Sequence, residues 1–232
     1  MRRLAAALAV GLVALALLAG LLSLPEPGAP DSPAQRHVSA AYVEGGAEAG
    51  GAANLVTAVL LNYRGLDTFG EVLVIFSALL AVLVVLAGAP ESEPDQAATR
   101  LAPSPVVAFI VRLTAPFMAA FAAFVMISGA ELPGGGFQGG VVLGAMAILL
   151  AVAMGRERVT DALQGGARFW VRAAAPLTFV LVATIGFATT GWWFGLPGPG
   201  PWRDALVLAL DIGIGIGGAA VLAGIFLALS RR

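Results

Sequence analysis

The sequence predicts an all-α, polytopic membrane protein of about six transmembrane helices with both termini cytoplasmic. Three observations carry this expectation. First, the 232 residues are 59% hydrophobic and only 12% charged, with a mean hydropathy of +0.92, against about 25% charge in an ordinary soluble domain. So few charges cannot wet the surface of a soluble globule, which argues against a soluble enzyme, and so apolar a chain is not a disordered one. Second, stretches that approach the roughly 20 apolar residues needed to cross a hydrocarbon core occur six times. Third, the arginines divide unevenly between the two sides that those crossings define.

Taken in order, Leu4–Leu22 follows Arg2 and Arg3 and carries no charge. A basic start before an apolar run also suits a secretory signal, but the apolar core of a signal is about 7–15 residues. No clean small-x-small site precedes Pro25, so an uncleaved helix is expected. Ser23–Gly51, rich in Pro, Gly and acids, is expected to be an irregular external loop. Leu55–Leu61 is too short to span and is expected at the outer interface. The second span is Val72–Ala89, extended back to Leu66 if Asp67 and Glu71 are tolerated. Pro90–Pro105, with several acids and prolines, reads as a cytoplasmic joint between a two-span front module, residues 1–95, and a four-span back module, residues 96–232.

The back module offers Val106–Ala130, Phe137–Gly155, Ala173–Leu196 and Ala205–Ser230. Their charges are Arg112, placed to snorkel to the near interface, and Asp211. Trp192, Trp193 and Trp202 flank a Gly/Pro-rich turn and read as an interfacial aromatic belt. One side of the bundle gathers Arg2, Arg3, Arg100, Arg156, Arg158, Arg168, Arg172, Arg231 and Arg232; the other has Arg36, Arg64 and Arg203. The positive-inside rule makes the first side cytoplasmic, in the cell inner membrane.

Composition also limits the chemistry. There is no Cys and a single His, His37, which removes thiolate metal sites, Fe–S clusters, c-type haem attachment and multi-histidine sites. No metal or cofactor is expected. The net charge of −1 gives no basic patch for nucleic acid.

Three motifs remain. In Asn54–Glu71, Arg64, Asp67 and Glu71 stand at i, i+3 and i+7 and would share one face of a continuous helix. A charge at mid-bilayer costs about 2.5–3.5 kcal/mol, less near the interface. Glu71 should therefore face protein or water, either as a proton carrier with Asp67 or as part of a charge network that fixes the helix start. Pro133, Gly134, Gly135, Gly136, Phe137, Gly139 and Gly140 form a turn between spans, and Gly140 with Gly144 is a small-xxx-small pair that admits a close neighbour. No Lys-Ser or Lys-Thr follows, so it is not a phosphate loop. Around Asp211, the glycines satisfy G-x-G-x-x-G literally but without a strand or βαβ context. Gly213 and Gly217 are expected to pack helices, and Asp211 is either a proton or cation ligand or a cap at the outer end.

The stretch Asn54–Glu71 resembles the Arg-Gly-Phe-Asp-Thr-x-Gly-Glu region near the C-terminus of the large MrpA chain of Mrp-type Na⁺/H⁺ antiporters, a module that is a separate small (MbhE-like) subunit in membrane-bound hydrogenases. The Pro133–Gly140 turn and the Asp211–Ala228 helix resemble the MnhB/MrpB family. Departures are Tyr63-Arg64-Gly65-Leu66 for Phe-Arg-Gly-Phe, Asn62 for an Asp, and Ala130-Glu131-Leu132 before the turn. The resemblance implies a non-enzymatic subunit of a multi-subunit Mrp-type antiporter of Na⁺ or K⁺ against protons. Its implied partners are the lipid bilayer and other subunits, large antiporter-like ones included. The alternatives are a related redox-driven pump, such as a membrane-bound hydrogenase, and a purely bracing subunit. In that setting Glu71, with Asp67 and Arg64, becomes the ion-path candidate, and the glycines dock neighbouring helices.

Overall fold

The computed structural model describes residues 2–88, 104–155 and 167–230, and among them it is all-α. The chain divides into two units, residues 1–44 and 45–232. The first contains helix α1, Arg2–Leu22, and a π-helical turn, Ala34–Val38. Helix α2, Ser39–Gly50, begins in the first unit and ends in the second, broken at Gly46 (φ 30°, ψ −124°). The expectation of an irregular Ser23–Gly51 is corrected here: the Ala-rich run from Ser39 favours helix, and only the flanks stay irregular.

The second unit carries α3, Leu55–Ala58, continued by a π-helical turn at Val59–Tyr63; then α4, Gly65–Ala87; α5, Pro105–Ile127; and α6, Gly136–Met154. It ends with α7, Ala167–Arg172; α8, Ala174–Thr190; and α9, Pro201–Leu229. Helix α9 is the hub, packed on α4, α5, α6, α7 and α8.

Among the described residues four helices, α4, α5, α6 and α9, are long and apolar enough to cross a membrane, while the first and fifth expected spans appear as shorter apolar helices, Ala6–Leu22 and Ala174–Thr190. The expected count of six long spans is corrected accordingly. Helix α8 stops early because Gly191 takes a left-handed conformation (φ 78°) and returns its N–H to Phe187, a glycine C-terminal stop. The Pro90–Pro105 joint and the arginines at 100, 156, 158, 231 and 232 lie outside the described residues.

Directions alternate through the second unit. Gly136, Gly140 and Gly144 of α6 meet Ile214, Gly215 and Leu222 of α9 in the same order, so these helices are parallel. Gly213 and Gly217 meet Thr178 and then Ala175 of α8, so that pair is antiparallel. Between α4, α8 and α9 lies the apolar core, with Leu61, Val72, Phe179, Val182, Leu210 and Ile214 buried. Phe69 and Phe194 pack on Phe179 with ring centroids 5.6–6.1 Å apart, within aromatic-pair range.

Candidate functional site

Two of the three motifs meet. Gly135 adopts φ 119°, a backbone conformation suited to glycine, and gives its N–H to Val125 O at 3.0 Å. This turns the chain so that α6 starts at Gly136 with its first N–H groups pointing inward. Such N–H groups lack partners within their own helix. Asp211 supplies one from another helix: its Oδ1 accepts from Gly136 N at 2.7 Å, across 75 residues of sequence. A carboxylate at a helix N-terminus is favourable both as cap and against the helix dipole. The residue is only 3% exposed, and its Oδ2 has no hydrogen-bond partner among the described residues.

Glycines surround this carboxyl because nothing larger fits. A Cβ on Gly129 would lie 3.0 Å from Oδ2, and one on Gly135 3.1 Å from Oδ1. On Gly136 a Cβ would lie 2.8 Å from Ile214 Cβ, and on Gly140 it would lie 2.8 Å from Gly215 O. Gly139 faces the α5 backbone, and Gly144 faces Leu222 and Ala219 of α9. Gly213 and Gly217 admit Thr178 and Ala175 of α8. Phe137 packs partly buried on the core, and Pro133 is exposed at the tip of the turn.

The outer wall of the cradle is tied down by residues that sequence reading did not single out. Asn54 caps α3 through its Oδ1, which accepts from Val56 N at 3.1 Å. Its Nδ2 reaches Gly129 O at 2.9 Å and Leu132 O at 2.8 Å, and its backbone N–H reaches Ala130 O at 2.9 Å. Thr57 Oγ1 donates to the same Gly129 carbonyl at 2.6 Å. An Asn just before an apolar run is a legible cap signal; the tie to a turn some 75 residues away is not.

The front motif is arranged differently from the single helical face expected. Arg64 precedes α4 (φ −126°, ψ 33°) and pairs with Asp67 at 2.6 Å, both side chains more than half exposed. The two line an open cleft with Trp192, Trp193 and Phe194. Glu71 lies about 9 Å along the helix from Gly65, is exposed, and has no hydrogen bond or ion pair among the described residues. Nearby, Thr68 is fully buried and donates to Leu60 O at 2.6 Å, and Phe69 faces the core. Glu71 thus points away from its own bundle and does not join Asp211. Arg203, buried, donates from Nη1 to Glu48 O at 2.6 Å. Among the described residues there is no group of three His, Cys, Asp or Glu that could hold a metal.

Apolar helices of this length around a buried hub define an integral, multi-pass membrane protein. The chain belongs to the family described as a domain related to the MnhB subunit of Na⁺/H⁺ antiporter, whose model matches residues 106–227. Residues 2–96 match a second model, MbhE, which describes one subunit of MBH. Over 189 residues, 71% of this chain, it is 28% identical to a protein of Rhizobium meliloti (strain 1021) described as the A/B subunit of a probable K⁺/H⁺ antiporter, of which that stretch is 18%. An uncharacterized protein of Methanocaldococcus jannaschii is 31% identical over 116 residues, 44% of each protein. The chain therefore spans less than half the length of these two relatives.

Among solved structures, a chain of the membrane-bound sulfane sulfur reductase, an archaeal respiratory membrane complex, superposes with a TM-score of 0.67 at 28% identity, covering 98% of this chain and 97% of that one. The Mrp complex from Dietzia sp. DQ12-45-1b gives a TM-score of 0.65 at 22% identity, covering 99% of this chain and 26% of the other, a likeness of fold.

Proposed function

We propose that the protein is a non-catalytic membrane subunit of a multi-subunit, ion-pumping complex of the redox-linked kind, in the inner membrane of a prokaryote, with α1 and α8 completing six crossings and both termini cytoplasmic. The redox-linked reading is favoured over the antiporter first expected. One whole chain of a respiratory membrane complex accounts for nearly all of this chain at 28% identity, whereas the likeness to the solved Mrp complex is one of fold. An Mrp-type antiporter of Na⁺ or K⁺ against protons stands second, supported by the relative from Rhizobium meliloti. On either reading the partners are other membrane subunits, and the front and back modules work as one piece.

The observation that carries the proposal is Glu71. An acid within an apolar span that faces outward would be costly against lipid, so it belongs at a seam with a neighbouring subunit, where it relays protons or contacts Na⁺ or K⁺. Asp67, held by Arg64, sits one turn nearer the surface to hand ions on. Asp211 is a second ion-path candidate. The test is Glu71→Gln in the native complex, reconstituted in vesicles, with the ion gradient driven by its substrate or by a cation pulse. Ion movement should fall on the order of tenfold or more, a barrier increase of about 1.4 kcal/mol or more, with assembly unchanged. Wild-type rates in a fully assembled variant would remove Glu71 from the path. Fe–S clusters, flavin or nickel on copurifying chains would mark the redox-linked complex, and their absence from a fully assembled complex would favour the antiporter.

A further inference from the structure

Asp211 uses one carboxyl oxygen as a cap for α6 and leaves the other enclosed without a partner among the described residues. Gly129 closes against Oδ2 and Gly135 against Oδ1, and in the same turn Glu131 and Leu132 are exposed. Sites that strip Na⁺ or K⁺ of water replace that water with several protein oxygens. Here several carbonyls of the turn already accept hydrogen bonds. Gly129 O accepts from both Asn54 Nδ2 and Thr57 Oγ1, filling its two acceptor positions. Leu132 O and Ala130 O are taken by Asn54, and Val125 O by Gly135 N. One carboxylate oxygen is not a shell for a metal cation, but it is enough for a proton.

We propose that Asp211 Oδ2 is a proton-binding site: a carboxylic acid whose Oδ1 continues to accept from Gly136 N, enclosed by Gly129 and Gly135, with Asn54 and Thr57 as positioning residues that hold the enclosing turn. The O–H bond forms at Oδ2 with a proton given up by hydronium, which leaves water, and breaking it returns the proton to water. The structural claim stands without the proposed function; only its use in ion transfer rests on that reading. The elements packed around Asp211 offer few other charges. Helices α6 and α8 carry no titratable group, α5 carries only Arg112 near its opposite end, and the turn carries Glu131, which is exposed. Helix α4 carries Asp67, paired with Arg64, and the outward Glu71. On α9 itself, Arg203 and Asp204 lie about 10–12 Å back along the axis.

The test is infrared difference spectroscopy of the purified complex between alkaline and acid pH. Wild type should show the carbonyl stretch of one protonated carboxylic acid that Asp211→Asn loses, with assembly retained, because a carboxamide keeps both shape and acceptor. Glu71→Gln should leave that band in place, so loss of transport and loss of the proton site are read separately. Identical spectra for wild type and an assembled Asp211→Asn would overturn the proposal. So would a band abolished by Na⁺ or K⁺ at fixed pH, which would assign the site to a metal cation. Should Asp211→Asn not assemble, Asn54→Ala on carboxyl-¹³C-aspartate-labelled complex decides. Untying the wall should shift the isotope-marked band, and an unmoved band would count against the site.

Discussion

At the residue scale, the glycines around Asp211 differ in what a methyl group would meet, and this makes them testable one at a time. A Cβ on Gly129 would lie 2.5 Å from Gly135 Cα and 2.9 Å from its nitrogen. Those are backbone atoms that cannot rotate away. Gly129→Ala is expected to cost about 1–3 kcal/mol, in the range of overpacked cores, read as a lower melting temperature in detergent. Asn54→Ala should cost a similar amount, about 1–3 kcal/mol, because it removes a cap and leaves Leu132 O without its partner. Gly218→Ala is the control: nothing lies within 4 Å of the added carbon, and helix propensity favours Ala by about 1 kcal/mol, so the melting temperature should hold or rise. Sequence reading reached both halves of the cradle, since the glycine turn and Asp211 each stand out against an apolar background. It could not join them, because no periodicity relates positions 75 residues apart. Glu71 was legible as an oddity, an acid in an apolar run, but its outward direction depends on Phe69 and Thr68 turning into the core.

At the element scale, α9 owes its place as hub to glycines on more than one face. Gly213 and Gly217, four apart, lie on one stripe and admit α8; Gly215, two residues on from Gly213 and so about 200° around the helix, admits Met126 of α5 and the start of α6. Gly217 is the tighter of the α8 contacts to backbone, since a Cβ there would lie 2.8 Å from Ala175 N. Gly217→Val should therefore push α8 off α9, cutting the yield of assembled complex severalfold while Gly218→Ala leaves it unchanged; size-exclusion chromatography of the two variants measures this. The G-x-x-x-G stripe was readable from sequence. Helix ends are readable where Pro or Gly sets them, as at Pro105 and Gly136, but α9 begins at Pro201, before the expected Ala205, and ends are missed where an apolar run continues past the last helical residue. Trp192–Leu196 is such a run: Gly191 ends α8, and Phe194 then packs back on Phe69 and Phe179.

At the scale of the whole molecule, the alternating helix directions settle which ends share a side even where a helix is short. Helices α6 and α9 run parallel, so the chain leaving α6 must return across the thickness of the bundle before α9 begins. Helix α8, antiparallel to α9, makes that return with 17 residues, about 26 Å of rise and within the lower range for a span. The ends near Gly65, Gly129, Gly191 and Pro201 therefore lie together, and those near Ala87, Ser104, Gly155 and Ser230 lie opposite. Arg168 and Arg172, with the arginines at 100, 156, 158, 231 and 232, belong to the second set by sequence position, and Arg64 and Arg203 belong to the first. By the positive-inside rule the second set is expected to face the cytoplasm, and a crossing by α1 would bring Arg2 and Arg3 to the same side. The absence of cysteine makes this directly measurable. Single cysteines at Glu131, Gly198 and Ser23 should react with an impermeant maleimide in intact cells, while those at Ser104, Ser230 and Arg3 should react only after permeabilisation. Reaction at Arg3 in intact cells would remove the crossing by α1 and leave the parallel and antiparallel order of the other helices untouched. Protection at Gly198 together with reaction at Ser230 would instead contradict the return through α8. Because the turn that carries Glu131 also encloses Asp211, the same labelling decides on which side of the membrane that carboxyl lies.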